Sequence, residues 1–241
     1  MSEMRINRAL AATGVASRRT AEDYVRAGRV RLNGQVVTDL STRVDPRRDE
    51  LSLDGRVLRI DLDYVYYIYY KPRGQVSTMT DERGRACVGD VCRELPGQPR
   101  LVGRLDRASE GLMLLTTDGE LANRLTHPRY GVRKAYQVAV QPALSAADAG
   151  TLVQAVQLDD GPAAFESITL LEAGRSGSLL EVVISEGRNR LIRRCFAALN
   201  YDVRKLKRVR LGTLQLGRLK TSQSRPLNGR EIADLKQLVK L

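Results

Sequence analysis

At 241 residues, 42% hydrophobic and 28% charged, the chain can bury a full core and has room for one large or two smaller domains. Forty Lys and Arg against twenty-eight Asp and Glu leave a formal charge of +12, which favours a polyanionic partner because neutralising phosphates releases counterions. Three cysteines and one histidine argue against a disulfide framework, a four-ligand zinc site and a Ser-His-Asp triad. The opening Met1-Ser-Glu-Met-Arg-Ile-Asn-Arg8 is charged, and no later apolar run approaches the ~18–20 residues of a membrane span. The expectation is a cytoplasmic protein whose partner is nucleic acid and not membrane.

In chain order, Ile6, Leu10 and Ala11 are spaced for a short helix that Gly14 stops. Ser17 is placed to cap a second helix over residues 18–27, ended by Gly28. Residues 29–32 and 35–37 flank Asn33-Gly34, the strongest short signal for a hairpin with a type I′ turn. Short strands follow around Leu51 to Leu53 and Asp54-Gly55. All twelve basic residues up to residue 61 are arginine, and Arg18, Arg19, Arg26, Arg29 and Arg31 cluster on the second helix and the next strand. On charge alone this is as readily a solvated helix face as a binding surface.

Residues 62–64 read as the link into a second region, which opens on Tyr64-Val-Tyr-Tyr-Ile-Tyr-Tyr70. This aromatic and β-branched run, bounded by Lys71-Pro72 and Gly74, predicts a buried strand. A second buried strand is expected over residues 112–116, after which Thr117-x-x-Glu120 reads as a capping box opening a short helix through Leu125. His127, directly before Pro128, reads as a cap or loop residue. Residues 133–140 alternate, placing Lys134, Tyr136, Val138 and Val140 on one face. A strand over 179–184 and a helix over 190–199, with Ile192, Cys195, Phe196 and Leu199 as its apolar stripe, complete the pattern.

Three elements could carry chemistry. Gly103-Arg-Leu-Asp106 puts a carboxylate and Arg104 on a glycine-flanked turn ahead of a buried strand, an arrangement that taken alone is most often a turn cap. Tyr136 sets a phenol among apolar strand neighbours. Glu186-Gly-Arg-Asn-Arg-Leu-Ile-Arg-Arg194 leads a glycine into a helix, so that Arg188, Arg190, Arg193 and Arg194 gather positive charge and helix dipole near one point. From charge alone, a phosphate-binding helix without catalysis fits this last stretch well.

The order of features sharpens the reading. Ala16-Ser17-Arg18-Arg19, Ala21-Glu22, Gly28-Arg29-Val30 and Leu32-Asn33-Gly34 resemble the core pattern of the S4 RNA-binding domain. Farther along stand Lys71-Pro-Arg-Gly74, Gly103-Arg-Leu-Asp106, Gly111-Leu112 with Thr116-x-Asp118-Gly119, Lys134-x-Tyr136-x-Val138, Glu186-Gly-Arg-Asn-Arg190 and Arg208-Val-Arg-Leu-Gly212. Their order resembles pseudouridine synthases of the RsuA/RluB type, which modify ribosomal RNA behind an N-terminal S4 domain. With both modules the resemblance spans nearly the whole chain.

That resemblance implies an α+β architecture: a small S4 domain built on an αα-hairpin over residues 1–61, then a catalytic domain over 65–241 with a mixed, mainly antiparallel sheet and flanking helices. It implies an enzyme that isomerises a uridine of ribosomal RNA, large-subunit RNA being preferred because Glu186-Gly-Arg-Asn-Arg190 is closer to the RluB pattern. Asp106 matches the catalytic aspartate, Tyr136 the tyrosine that stacks on the flipped base, and Arg193 the basic residue that pairs with the aspartate. Arg18, Arg19, Arg26, Arg29, Arg104, Lys134, Arg188, Arg190 and Arg194 become candidate RNA contacts. Neither metal nor cofactor is implied. The expected partner is ribosomal RNA or a pre-ribosomal particle, met by a monomer.

The chain departs from the family pattern at Leu191, where glutamine is commoner, and at Cys195, where methionine or leucine is commoner; Ile192 and Arg193 keep their spacing. The competing reading is a noncatalytic S4-type RNA-binding or ribosome-assembly protein, which would have no need of Asp106, Tyr136 and Arg193 together. Carbohydrate hydrolysis by Asp106 and Glu110 lacks a matched carboxylate pair and suits the charge poorly.

Overall fold

A computed structural model describes residues 3–60, 63–174 and 176–241. Residues 1, 2, 61 and 62, and with them the outer limits of the expected S4 segment and the start of the link, lie outside the described residues. The chain divides into two compact units, 1–64 and 65–241.

The first unit begins with β1 (Met4–Arg5), α1 (Ile6–Ala12) and α2 (Arg18–Arg26). Ser17 caps α2 by accepting from the Thr20 amide at 3.2 Å, and Ala21 and Val25 turn inward to join Ile6, Ala9 and Leu10 in one small core. Strands β2 (Val30–Leu32) and β3 (Gln35–Val36) form the hairpin, with Asn33 and Gly34 both at positive φ, the conformation of a type I′ turn. Then come β4 (Arg43–Val44), which pairs with β1, and β5 (Leu51–Leu53) and β6 (Arg56–Leu58), which extend the β2 sheet to four strands in the order β3-β2-β5-β6.

The second unit contains, in order, β7 (Tyr66–Lys71), α3 (Val88–Glu94), β8 (Arg100–Val102), β9 (Glu110–Thr116), α4 (Gly119–Thr126), β10 (Lys134–Gln141), α5 (Ala146–Gln154), β11 (Val156–Leu158), β12 (Gly161–Ala163), β13 (Ser167–Ala173), β14 (Ser178–Ile184), α6 (Leu191–Ala198), β15 (Asp202–Leu211), β16 (Leu214–Gln215), β17 (Ser224–Pro226) and α7 (Gly229–Leu238). Its main sheet runs β13-β14-β10-β15-β9-β7-β17, with β16 on β15 and β8 on β9. Every pairing is antiparallel except β15 with β9, so the sheet is mixed and mainly antiparallel.

The parallel junction needs a glycine. Gly111 has φ +111° and lies so close to β15 that a Cβ would sit 2.3 Å from the Arg208 carbonyl oxygen. β9 is buried on both faces, which explains its unbroken apolar run: Met113 and Leu115 enter the main core, while Leu112 and Leu114 are equally buried on the other side. Helix α6 lays Ile192, Cys195 and Phe196 into the main core and packs against β11 and β15. Phe196 is fully buried, and truncating it to alanine would cost ~3–5 kcal/mol.

Two local expectations are corrected. The cap of α4 is Asp118, not Thr117: the Asp118 carboxylate accepts from the amides of Glu120 and Leu121, whereas the Thr117 hydroxyl turns away to accept from the Val65 amide. A carboxylate in the next position captures the helix dipole more strongly than a hydroxyl does. The last helix of the Glu186 segment starts at Leu191 and not at residue 190, because Arg190 adopts the left-handed conformation with φ 50°. Arg188 and Arg190 therefore stand on the loop ahead of the helix.

Candidate active site

Asp106 lies between β8 and β9 on a turn held at five successive carbonyls. Leu105 O accepts from Ser77 Oγ at 2.7 Å, Asp106 O from the Ser109 amide at 3.0 Å and Arg107 O from the Gly74 amide at 2.7 Å. Ala108 O accepts from Arg193 Nη2 at 3.2 Å and Ser109 O from Lys71 Nζ at 2.8 Å. Ser77 Oγ also accepts from the Leu105 amide at 3.1 Å, so one buried hydroxyl grips both the amide and the carbonyl of the residue ahead of Asp106. The Asp106 carboxylate itself makes no hydrogen bond or ion pair with any described residue. A rigid backbone thus presents an uncommitted carboxylate.

A cleft of about 490 Å³ opens at this turn, within the ~300–1,000 Å³ typical of ligand sites. Tyr136 enters it from β10 and is largely buried among Leu206, Ile184 and Ile192, all of which line the same cleft. Its register partner on β15 is Arg208, which in turn pairs with Gly111 on β9. Tyr136, Arg208 and Gly111 consequently form a row across three adjacent strands, with the Asp106 turn at the entrance to the third. The two-residue parallel junction that Gly111 permits sets the strand that follows the Asp106 turn beside β15, and Asp106 and Tyr136 line one cleft.

The surroundings are cationic. Burial pushes the fully enclosed Lys71 ammonium down to about 8, against the opposing pull of Asp106 and Glu110. Burial likewise pushes Lys134 to about 8, with Arg208 adding to the shift and Glu166 and Glu186 resisting it. Arg193 is lowered first by burial and next by Arg190, while Asp106 opposes the shift. A guanidinium nonetheless keeps its proton at neutral pH. Its field therefore reaches Asp106 even though its nitrogens do not: Nη1 donates to Val203 O at 2.8 Å and Nη2 to Ala108 O. The direct ion pair that the family resemblance implies is not formed among the described residues, because Arg193 grips the backbone of the Asp106 turn.

The expected RNA-contact residues separate into two groups. Arg104 and Arg190 are exposed at the cleft and form no ion pair with described residues, and in the first unit Arg18 and Arg19 are exposed on α2 in the same way. Arg26 keeps only loose contacts of 3.8 Å to Glu22 and Asp23. Others are committed elsewhere. Arg29 forms a two-pronged bond to Asp54 and lies over the Tyr24 ring at 4.3 Å. Arg188 bonds Glu186, Asp160 and the carbonyls of Gly161 and Pro162, and Arg194 bonds Asp160 through both Nη atoms. Lys134 donates to Val132 O and Ser185 O. Arg188 and Arg194 thus pin the β12 turn to α6 and the loop ahead of it, and Lys134 ties the start of β10 to the end of β14, a tertiary use that charge counting along the chain does not reveal.

Sequence reasoning gave no role to Lys71, Ser77 or Arg208. Lys71 and Arg208 lie inside quoted motifs, so a signal existed; Ser77 carried none. His127 acts as the expected cap, its Nδ1 accepting from the Arg129 amide at 3.2 Å.

Residues 65–198 match the family model of RNA pseudouridylate synthase, and residues 4–50 match that of the S4 domain. An RNA pseudouridine synthase of Mycobacterium bovis is 43% identical over 99% of this chain and 95% of its own length. The ribosomal large subunit pseudouridine synthase B of Bacillus subtilis is 37% identical over 97% and 96% respectively. Among solved structures, a pseudouridylate synthase superposes with a TM-score of 0.67 at 26% identity, covering 96% of this chain and 99% of the other. The sequence, the fold and the cleft built around Asp106 converge: this chain belongs to the RNA pseudouridylate synthase family and carries an S4 domain ahead of the catalytic unit.

Proposed function

We propose that the protein isomerises a uridine of ribosomal RNA to pseudouridine, with large-subunit RNA as the substrate, and that Asp106 is its catalytic carboxylate. The observation that carries this reading is the contrast at the Asp106 turn: five backbone carbonyls are held while the carboxylate is left uncommitted in a cationic cleft that Tyr136 also lines. A uridine in structured RNA must leave its stack to reach such a group, and the Tyr136 ring supplies a replacement stacking surface. Asp106 then acts on the ribose, at C1′ as nucleophile or at the C2′ proton as base, while the C1′–N1 bond breaks. Arg193 fixes the turn and contributes positive charge that favours the ionised carboxylate. Arg104 and Arg190 meet flanking phosphates, and Arg18 and Arg19 meet RNA at the S4 unit; such contacts orient the substrate without reading its sequence. The preference for large-subunit RNA is supported by the relative from Bacillus subtilis.

Asp106→Asn tests the assignment. It keeps the shape of the turn and removes the charge, so large-subunit RNA from a strain carrying only this variant should lack the pseudouridine present with the wild type. RNA binding by the purified variant should stay within about threefold of wild type. Modification that persists in that strain refutes the role of Asp106.

A further inference from the structure

Arg208 is a charged group deep in the cleft to which this chemistry gives no task. It is 3% exposed, faces Tyr136 across β10 and β15, and lines the same cleft as Asp106. Its Nε donates to Leu112 O at 2.7 Å, which orients the guanidinium plane, yet Nη2 is buried without an acceptor. Nor does the side chain form an ion pair with any described residue. A buried donor left unbonded costs ~1–3 kcal/mol, and more when it is charged. A side chain held this way inside a substrate cleft calls for an acceptor that arrives with the substrate.

The depth of Arg208 decides which acceptor. Phosphates stay at the rim, where Arg104 and Arg190 are exposed. Arg208 lies level with Tyr136, so what comes near it is whatever rests on that ring, which under the proposed function is the uracil. Breaking C1′–N1 leaves the bonding pair on N1, spread by resonance onto O2 and O4, and a full negative charge appears on the base.

We propose that Arg208 donates a hydrogen bond to a carbonyl oxygen of the departing uracil and stabilises the uracil anion. This inference rests on the proposed function. The step balances without a co-reactant. As the C1′–N1 pair passes to the base, Asp106 either bonds to C1′ and leaves again with its electron pair when C5 attacks, or takes the C2′ proton and later returns it. The base turns, C5 bonds to C1′ and loses its proton, and N1 gains one, so that product and substrate are isomers.

The experiment compares Arg208→Gln with wild type in single turnovers at saturating enzyme. The substrates are large-subunit RNA transcribed with uridine or with 5-fluorouridine, and the C5-linked nucleoside, which in the second case keeps fluorine on C5 because there is no proton there to lose, is measured by mass spectrometry after nuclease digestion. Fluorine withdraws electron density and stabilises the anion by itself, so it lessens the need for Arg208. Losing a donor aimed at developing charge costs ~100-fold or more; that slowing is expected with uridine, and less than about tenfold with 5-fluorouridine. Equal slowing of both substrates overturns the inference, because a packing defect does not distinguish leaving groups. The same ratio is read in Arg208→Met, which likewise removes the donor while keeping an unbranched side chain, and covers the case in which the glutamine variant does not fold. Retained activity in Asp106→Asn would refute the underlying reading instead, so the two failures are separable.

Discussion

Both compact units expose some of their arginines, but the second also turns basic side chains inward. In the first, the small core of Ile6, Ala9, Leu10, Ala21 and Val25 involves no charged group, and Arg18 and Arg19 extend into solvent from α2. In the second, Arg193, Arg208 and Lys71 turn inward and bond backbone carbonyls of the strand and turn that carry Asp106. An exposed arginine interacts through a screened field and loses its effect as salt rises. A buried one acts at short range, fixes geometry and keeps its influence in salt. Equal numbers of positive charges along the chain therefore carry unequal meanings.

The sharpest way to break this contrast is Arg193→Ala. It removes the bond to Ala108 O together with the field on Asp106, and a loss of ~10²–10³ in the single-turnover rate is expected with RNA affinity within about threefold. A defect in affinity alone would place Arg193 with the exposed group. Lys71 offers a pH test of burial. Its native value of about 8 lies below the ordinary 10.5, so between these values the unfolded chain holds a proton that the native state has released. Stability relative to Lys71→Met should consequently rise with pH across that window, by up to about 1.4 kcal/mol per pH unit, as read from urea unfolding at successive pH values. A flat difference would show that Lys71 is not held in a poorly solvated site.

Ser77→Ala probes the turn without touching a charge. Loss of the grip on Leu105 should slow turnover about tenfold, since small misplacements at a reacting centre are costly, while affinity stays unchanged. Ser77→Thr, which retains the hydroxyl, should recover part of the rate. The smallest effect is reserved for the exposed group. The double change Arg18→Gln and Arg19→Gln should reduce the slope of log affinity against log salt by about 2, lowering affinity several-fold at low salt and leaving the saturated rate intact. Binding curves at four salt concentrations decide this, and an unaltered slope removes both residues from the RNA surface.

Much of the local structure was legible from residue order. Ser17 as a cap, Asn33-Gly34 as the hairpin turn, the apolar stripe of α6 and the alternation of β10 follow from backbone preference and from burial at periods of 3.6 and 2 residues, and these operate within a few positions. The capping expectation at Thr117 missed by one residue because two adjacent side chains could each serve, and the Val65 amide took Thr117. The motifs around Asp106, Tyr136 and Arg193 could likewise be found in the sequence and compared with a family.

Which charges are free and which are committed depended on contacts between residues far apart in the chain. Asp160 neutralises Arg194 and helps to hold Arg188, Ser77 secures a turn twenty-eight positions away, and Arg208 approaches Leu112 across ninety-six. Composition and spacing by themselves determined that this is a basic, two-part chain with a carboxylate turn and a motif order resembling a family. The tertiary structure alone decided that Asp106 is held by its backbone and free at its carboxylate, because a hydrogen bond depends on distance in space and the sheet, closed through Gly111, sets those distances.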